Sequence, residues 1–531
     1  MSKLVISQIN TIAGDIKNNA QKIMADIQKA INIGAEVIVF PALSLVGSPL
    51  GDIAKRHKDI VKRQNIVLKE IAEKCENITV VLSVLSDDLK NTVVIIENRN
   101  IEYKNSFKDF IVVLGENNLI SENAKTVILL DNQPSRTDSE FIKNKKYSEL
   151  SKQNNINLVC VNKVGYAHNY CYDGASRIYV DGELTLRAKS FSEDFAIAEN
   201  FKGVIQDLPK GVEASLNEIF DLNYTNDLDR TYKSIVYSIK EYFSKNGFSK
   251  AVLGLSGGLD STICATLLAD ALGKENVVGI SMPSKLTSKE SKDDAQVLAE
   301  NLGIKFLEVP LPDQIDSMKS MLNLTFDEIN MEKYAESTTI ENLQARLRAT
   351  ILWSVSNEFK GMLPIATSDK SEAYIGYATV NGDMSGGFAP IIDVTKTKLF
   401  ALGDFMNKNR DQKNAIPQNV LEKPPGAELK INPKTGKTVF AEEANMPYEF
   451  LDEIIWEVER NGLGFDELMQ HKFYYEKNHS LTIEQKEEWI RKFYWKMHCA
   501  VYKWHIIPPM VITDKNSISA VEFDNPIISK I

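Results

Sequence analysis

The sequence predicts two α/β modules in tandem: an N-terminal layered α/β domain and a C-terminal domain built on a doubly wound parallel sheet. Three observations carry this expectation. Strand-like and helix-like segments alternate through both halves of the chain. A weakly periodic stretch at 206–227, with Pro209, Gly211 and the polar run Asn223-Tyr224-Thr225-Asn226, separates the halves as a linker. Directly after it, an apolar strand runs through a serine- and glycine-rich loop into an apolar helix at 251–268. The domains are therefore placed at 1–205 and 228–531.

In the first module the β-branched run at 3–7 reads as a strand, 18–33 as an amphipathic helix and 36–40 as a second strand. Further strands are expected at 79–85, 92–97, 111–114, 126–130, 158–161 and 177–180. In the second module a helix at 230–248 precedes strands at 251–255, 277–282, 305–309 and 362–366, with helices of ordinary length between them. Strands joined by helical crossovers pair in parallel, and ligands then sit at the carboxyl ends of the strands.

Composition bounds the class of protein. The 531 residues are 43% hydrophobic and 25% charged, ordinary values for a globular chain large enough for several buried cores. A formal net charge of −10 excludes a broad nucleic-acid surface, so a phosphate-bearing ligand would have to meet local donors. Cys75, Cys160, Cys171, Cys264 and Cys499 contain no CxxC pair and fit reduced, packed thiols in the cytoplasm. No apolar run is long enough to span a bilayer, and the first residues read as a strand and helix rather than a signal peptide, so no membrane association is expected.

The loop at 253–262 carries the most chemistry. Gly254, Leu255, Ser256, Gly257, Gly258, Leu259, Asp260, Ser261 and Thr262 lie between strand and helix. Glycines permit close backbone approach, exposed N–H groups at a helix N-terminus attract phosphate, and the Ser and Thr hydroxyls add donors. Asp260 could hold a hard cation such as Mg²⁺. The absence of a Gly-Lys-Ser/Thr ending argues against a Walker-A nucleotide site. Four later segments add polar groups. On a helix at 339–348, Asn342 and Arg346 share one face, where Arg346 could pair with a phosphate or simply be solvated. An apolar strand ends at Thr367-Ser368-Asp369-Lys370-Ser371-Glu372, a glycine-rich stretch at 376–390 contains Asp383, and Asp393 precedes Thr395-Lys396-Thr397.

The first loop resembles the SGGxDS signature of ATP pyrophosphatases. The ordered set that follows resembles NAD synthetase: Met282-Pro283-Ser284, the four segments above, Ile416-Pro417, the Lys423 to Leu429 string and the Met446 to Asp452 string. This resemblance covers essentially the whole second module. It implies an enzyme that converts nicotinate adenine dinucleotide, ATP and ammonia into NAD, AMP and pyrophosphate. The nicotinate carboxylate is a poor acceptor for ammonia, so it first forms a mixed anhydride with AMP. The resemblance assigns residues 254–262 to the ATP phosphates and Asp260 and Glu372 to Mg²⁺. Thr367 and Lys396 become ATP contacts, Arg346 a contact to the dinucleotide, and Asp383 and Lys503 further substrate contacts. It also implies a homodimer or larger homo-oligomer. Two departures bear on substrate affinity: Gly426 stands where the family usually has Ser or Thr, and Trp504 follows Lys503 where basic neighbours are expected. Residues 430–443 are expected to form a loop over ATP or a passive insertion.

The first module resembles nitrilase-type amidases at 8–19, 34–41, 161–165 and 172–176. In glutamine-dependent NAD synthetases such a domain releases ammonia from glutamine with a Glu-Lys-Cys triad. Here Ala42 follows Phe40-Pro41 where that family has glutamate, and no cysteine lies between Lys104 and Cys160. Lys104 is the candidate surviving lysine. Without the base and the thiolate, covalent amide hydrolysis has no route. The expectation is an ammonia-dependent synthetase with a pseudo-glutaminase domain. Another AMP-forming amide ligase and a silent nucleotide-binding regulator are the alternatives, separable by acceptor screening and by ATP binding without turnover.

Overall fold

The computed structural model describes residues 3–57, 59–115, 125–137, 139–207, 225–329, 331–332, 337–410, 414–426, 428–429, 446–514 and 517–519. The chain divides into two compact units, Met1–Ile219 and Phe220–Ile531. Most of the expected linker, 208–224, and all of the expected loop at 430–443 lie outside the described residues. Residues 225–227, placed in the linker by their composition, already belong to the helix Thr225–Asn246.

Among the described residues the first unit contains two six-stranded sheets. One has the order β14-β1-β2-β3-β4-β5, where β1 is Lys3–Gln8, β2 Val37–Val39, β3 Thr79–Leu85, β4 Asn91–Glu97, β5 Asn100–Glu102 and β14 Asp194–Glu199. The other has the order β13-β12-β9-β8-β7-β6. These are β6 Ser106–Phe107, β7 Phe110–Leu114, β8 Thr126–Leu130, β9 Asn157–Val161, β12 Arg177–Val180 and β13 Glu183–Arg187. A hairpin of β10 Val164–Ala167 and β11 Tyr170–Asp173 stands apart from both.

Strand alternation builds the layers. Leu4, Ile6, Val37, Val39, Val81 and Ile95 point from the first sheet into one core with Val112, Ile128, Leu130, Val159 and Ile178 of the second. The residues between them, Val5, Ile38, Val80 and Leu82, face outward against the helices Ile16–Asn32 and Ile60–Glu73. On the far side, Val127, Leu129 and Leu158 pack on Tyr147 of the helix Ser139–Gln153. The result is a helix-sheet-sheet-helix sandwich, which requires strands apolar on both faces. That requirement explains why β3 is buried at every position.

The second unit has a four-stranded sheet in the order β17-β16-β15-β18, parallel throughout. Its strands are β15 Lys250–Gly254, β16 Val277–Ser281, β17 Lys305–Glu308 and β18 Met362–Pro364. The chain winds outward from β15 to β17, then returns to pair β18 on the other side of β15. The crevice beyond the ends of β15 and β18 is thus the topological switch point, where such sheets bind ligands. Val252, Ile280 and Met362 pack with Leu311, Ile315 and Leu352 on one face, and the apolar helix Leu259–Leu272 contacts β15 and β16. No described helix is long and apolar enough to cross a membrane.

A buried ionic hub fixes the short helix Lys370–Tyr374 below the switch point. Lys370 Nζ lies 3.1 Å from Asp393 Oδ1 and 2.5 Å from Glu459 Oε2, with all three side chains almost fully buried. Asp393 Oδ2 also accepts from the Thr513 and Asp514 N–H groups at 2.7 and 3.0 Å, tying in the C-terminal segment. Removing one partner from such a cluster strands the others without solvent. Lys370→Met is therefore expected to destabilise the second unit by about 3–5 kcal/mol in a chemical denaturation series; a loss below about 1 kcal/mol would show that the hub contributes little.

Candidate active site

Gly254 ends β15, and the chain turns through Leu255 to Gly258 into the helix Leu259–Leu272. Gly257 has φ +78°, and a Cβ placed there would lie 2.0 Å from the Ser291 carbonyl oxygen. Only glycine lets the loop rest on the helix Lys289–Leu302. Two serines shape the turn: Ser256 Oγ accepts from the Gly258 N–H at 3.2 Å and lies 3.1 Å from Ser261 Oγ, which donates to the Gly258 carbonyl at 3.1 Å. Leu255, Leu259 and Thr262 are buried, Thr262 completely. The Thr262 hydroxyl, expected among the phosphate donors, is buried and makes no hydrogen bond to the described residues. Ser256 and Asp260 remain accessible, beside the positive end of the helix.

At the end of β18, Thr367 is partly accessible and Ser368 is buried. Asp369 then caps the helix Lys370–Tyr374 by accepting the Glu372 N–H at 2.9 Å. Lys396 opens the helix Lys396–Asn409. Its Nζ lies 2.8 and 2.9 Å from the two oxygens of Asp260, 2.5 Å from Asp369 Oδ2 and 3.0 Å from Glu372 Oε1. The Tyr448 ring centroid is 5.4 Å from the same ammonium. The predicted residues Asp260, Glu372 and Lys396 are thus brought together from segments far apart in sequence.

Electrostatics fix their protonation. Burial pushes Glu372 up to about 7, with Asp260 adding to the rise and Lys396 opposing it. Burial also raises Asp369 well above the usual carboxylate range, against the pull of Lys396. For Lys396 burial alone would favour the neutral amine, but Asp260, Asp369 and Glu372 outweigh it and hold the ammonium charged. Oxygens of the three carboxylates come within 4.8 Å of one another, an all-oxygen donor set that suits a hard divalent cation. Asp369 is the member that sequence reading did not assign; its only signal was a polar cluster at a strand end.

Arg346, Asp383 and Lys503 gather elsewhere, on the loop at 376–383 that follows Glu372. Arg346 Nε donates to the Val380 carbonyl at 3.2 Å, and Asp383 Oδ1 accepts the Thr379 N–H at 2.7 Å. Lys503 Nζ donates to the Gly376 and Ala378 carbonyls at 2.8 and 2.6 Å. Thr379 in turn donates to Asn342 Oδ1 at 2.7 Å, on the same helix face as Arg346. These side chains shape the loop, while Arg346 and Asp383 stay exposed. Arg346 also lines a cavity of ≈ 400 Å³ with Ser337, Thr338, Thr339 and Asn342.

In the first unit Ala42 and Leu130 belong to the core between the sheets, and Asn132 Nδ2 donates to the Ala42 carbonyl at 2.9 Å. Lys104 is drawn to carboxylates of its own hairpin, with Nζ 2.6 Å from Glu102 and 3.8 Å from Glu97. Cys160 on β9 and Cys171 on β11 are buried. Cys75 is buried too, and its thiol is pushed up to about 12.

The family model described as NAD synthase matches residues 231–499. A glutamine-dependent NAD(+) synthetase from Aquifex aeolicus is 31% identical, over 88% of this chain and 91% of that protein. One from Thermotoga maritima is 30% identical, over 89% and 91%. Among solved structures, a glutamine-dependent NAD+ synthetase from Acinetobacter baumannii in complex with ADP superposes with a TM-score of 0.70 at 25% identity, covering 99% of this chain and 98% of that one. A glutamine-dependent NAD(+) synthetase from Cytophaga hutchinsonii shares the fold at a TM-score of 0.82 and 20% identity. A matched family model across the unit that holds the charged crevice, and relatives of this identity spanning both units, show that the chain belongs to the NAD synthase family.

Proposed function

We propose that the chain is an ammonia-dependent NAD synthetase, which amidates nicotinate adenine dinucleotide through an adenylate and releases AMP and pyrophosphate. The observation that carries the reading is the Lys396 ammonium held among three carboxylates at the switch point, beside a glycine loop that opens a helix. The positive helix end and the backbone N–H groups of the loop would receive the ATP phosphates. Lys396, kept charged by its neighbours, would act as a fixed positive charge on the departing pyrophosphate rather than as a base. Asp260, Asp369 and Glu372 would hold Mg²⁺, which when bound supplies charge neutralisation at the phosphate oxygens. Arg346, Asp383 and Lys503 act on substrate through the loop at 376–383, and Thr367 stands at its approach to ATP.

Two features of the first unit support ammonia as the nitrogen donor. Ala42, which stands where the resembling family has its glutamate, is packed in the core, and Cys75, Cys160 and Cys171 are buried. Activation of a glutamine amide needs an accessible thiolate and a base, and the buried cysteines offer no accessible thiolate. Free reduced cysteines also suit the cytoplasm, where we place the enzyme.

Asp260→Asn is expected to cut pyrophosphate formation by about 100-fold or more with the fold retained, because it removes charge at the leaving group. Glu372→Gln should raise the Mg²⁺ concentration needed for half-maximal rate. Near-parental turnover in the first variant, or an unchanged Mg²⁺ response in the second, would remove that residue from the site.

Glutamine is expected to release no glutamate and to support no NAD formation, whereas ammonium should support it. Because NH₃ carries the nucleophilic lone pair, the rate at limiting ammonium should rise with pH until another group titrates. Ala42→Glu alone should not restore glutamine use, since the thiolate would still be missing. Glutamate released in step with NAD by the purified protein would contradict this assignment.

A further inference from the structure

Asp452 sits outside both loops that build the charged crevice, on the helix Tyr448–Asn461, and is 7% exposed. Its Oδ1 accepts the Ser371 hydroxyl at 2.5 Å; its Oδ2 accepts the Thr397 N–H at 2.8 Å and the Thr397 hydroxyl at 2.7 Å. Ser371 Oγ in turn accepts the Lys396 N–H at 2.8 Å. One carboxylate therefore joins the short helix carrying Glu372 to the first two residues of the helix carrying Lys396.

The need for this link is visible in the helix itself. Thr395, the residue before Lys396, makes no side-chain cap hydrogen bond. The first N–H groups of a helix have no partner within it, and a carboxylate beside them is favoured by both hydrogen bonding and the helix dipole. Asp452 and Ser371 supply that cap from outside the helix. One turn earlier on the same face, Tyr448 lays its ring against the Lys396 ammonium, with its hydroxyl 3.5 Å from Glu372 Oε1. The helix Tyr448–Asn461 thus holds the charged pair at both ends, backbone through Asp452 and side chains through Tyr448.

We propose that Asp452 is a positioning residue for amidation, setting the distance between Lys396 and Glu372 without touching substrate. The proposal rests on the roles given above to those two residues. A cap that served only folding would cost stability; a cap that sets reacting geometry also costs turnover in the chains that do fold.

The test compares Asp452→Ala, Asp452→Asn and Ser371→Ala, with Lys396→Met as the control for the underlying assignment. NAD formation from ATP, Mg²⁺, nicotinate adenine dinucleotide and saturating ammonium is measured, and kcat is expressed per chain that binds ATP by titration. Misplacement by about 1 Å costs about 100-fold, so Asp452→Ala should lose roughly that in kcat while KM for ATP stays within about threefold. Asp452→Asn keeps an acceptor for the Thr397 N–H and should recover about tenfold of the loss. Should Asp452→Ala fail to bind ATP, Ser371→Ala decides, with an expected loss of about tenfold. A kcat per ATP-binding chain within about twofold of the parent, in the deciding variant, overturns the proposal. Full turnover in Lys396→Met would instead overturn the role of Lys396, whatever the Asp452 variants do.

Discussion

A single ammonium among three carboxylates is the interaction on which the second unit depends. Asp260, Asp369 and Glu372 are too close to one another to be buried as anions without a cation, and Lys396 is the cation present. One positive charge does not balance three negative ones. The excess can be met by a further hard cation or by protons, and burial favours protons on Asp369 and Glu372 until a cation displaces them. The same crowding keeps Lys396 protonated.

The fold makes this crowding possible by converging helix termini. Asp260, Glu372 and Lys396 each lie in the first turn of a different helix. Two of those helices follow β15 and β18 on either side of the switch point, and the third sets Lys396 against Asp260, 136 residues away in sequence. Helix N-termini attract carboxylates and would attract phosphates for the same reason, so a nucleotide polyanion and its metal can share one crevice. Beneath it, Lys370 and Asp393 anchor the Glu372 helix to the C-terminal segment.

Much of this was legible in the sequence. Most long strands of both units lie where β-branched runs place them, with ends shifted by one or two residues, but β13 and β14 were not expected. The parallel pairing of β15 to β18 followed from alternation with helices. Short paired strands such as β5, β6, β10 and β11 were missed, because two to four residues are too few for a periodic signal. At the site, Asp260, Glu372 and Lys396 stood in motifs that name a charge and a place. Asp369 was not assigned, because its role depends on a cap geometry that turns one oxygen to a helix N–H and the other to Lys396. Burial of Thr262 was not legible, since sequence does not show which face of an apolar helix turns inward. Lys104, the candidate surviving lysine, pairs with Glu102, a contact that its motif does not signal.

The two units therefore differ in what they retain. The second holds a dense set of charges that suits a phosphate-activating reaction. The first keeps a well-packed sandwich in which Ala42 and Leu130 contribute to the core. The most direct test of the whole reading is isotopic: ATP, Mg²⁺ and nicotinate adenine dinucleotide are supplied with ¹⁵N-ammonium and unlabelled glutamine together, and the amide nitrogen of the NAD formed is read by mass spectrometry. That nitrogen is expected to carry the ammonium label throughout. Unlabelled NAD, with its nitrogen drawn from glutamine, would contradict it.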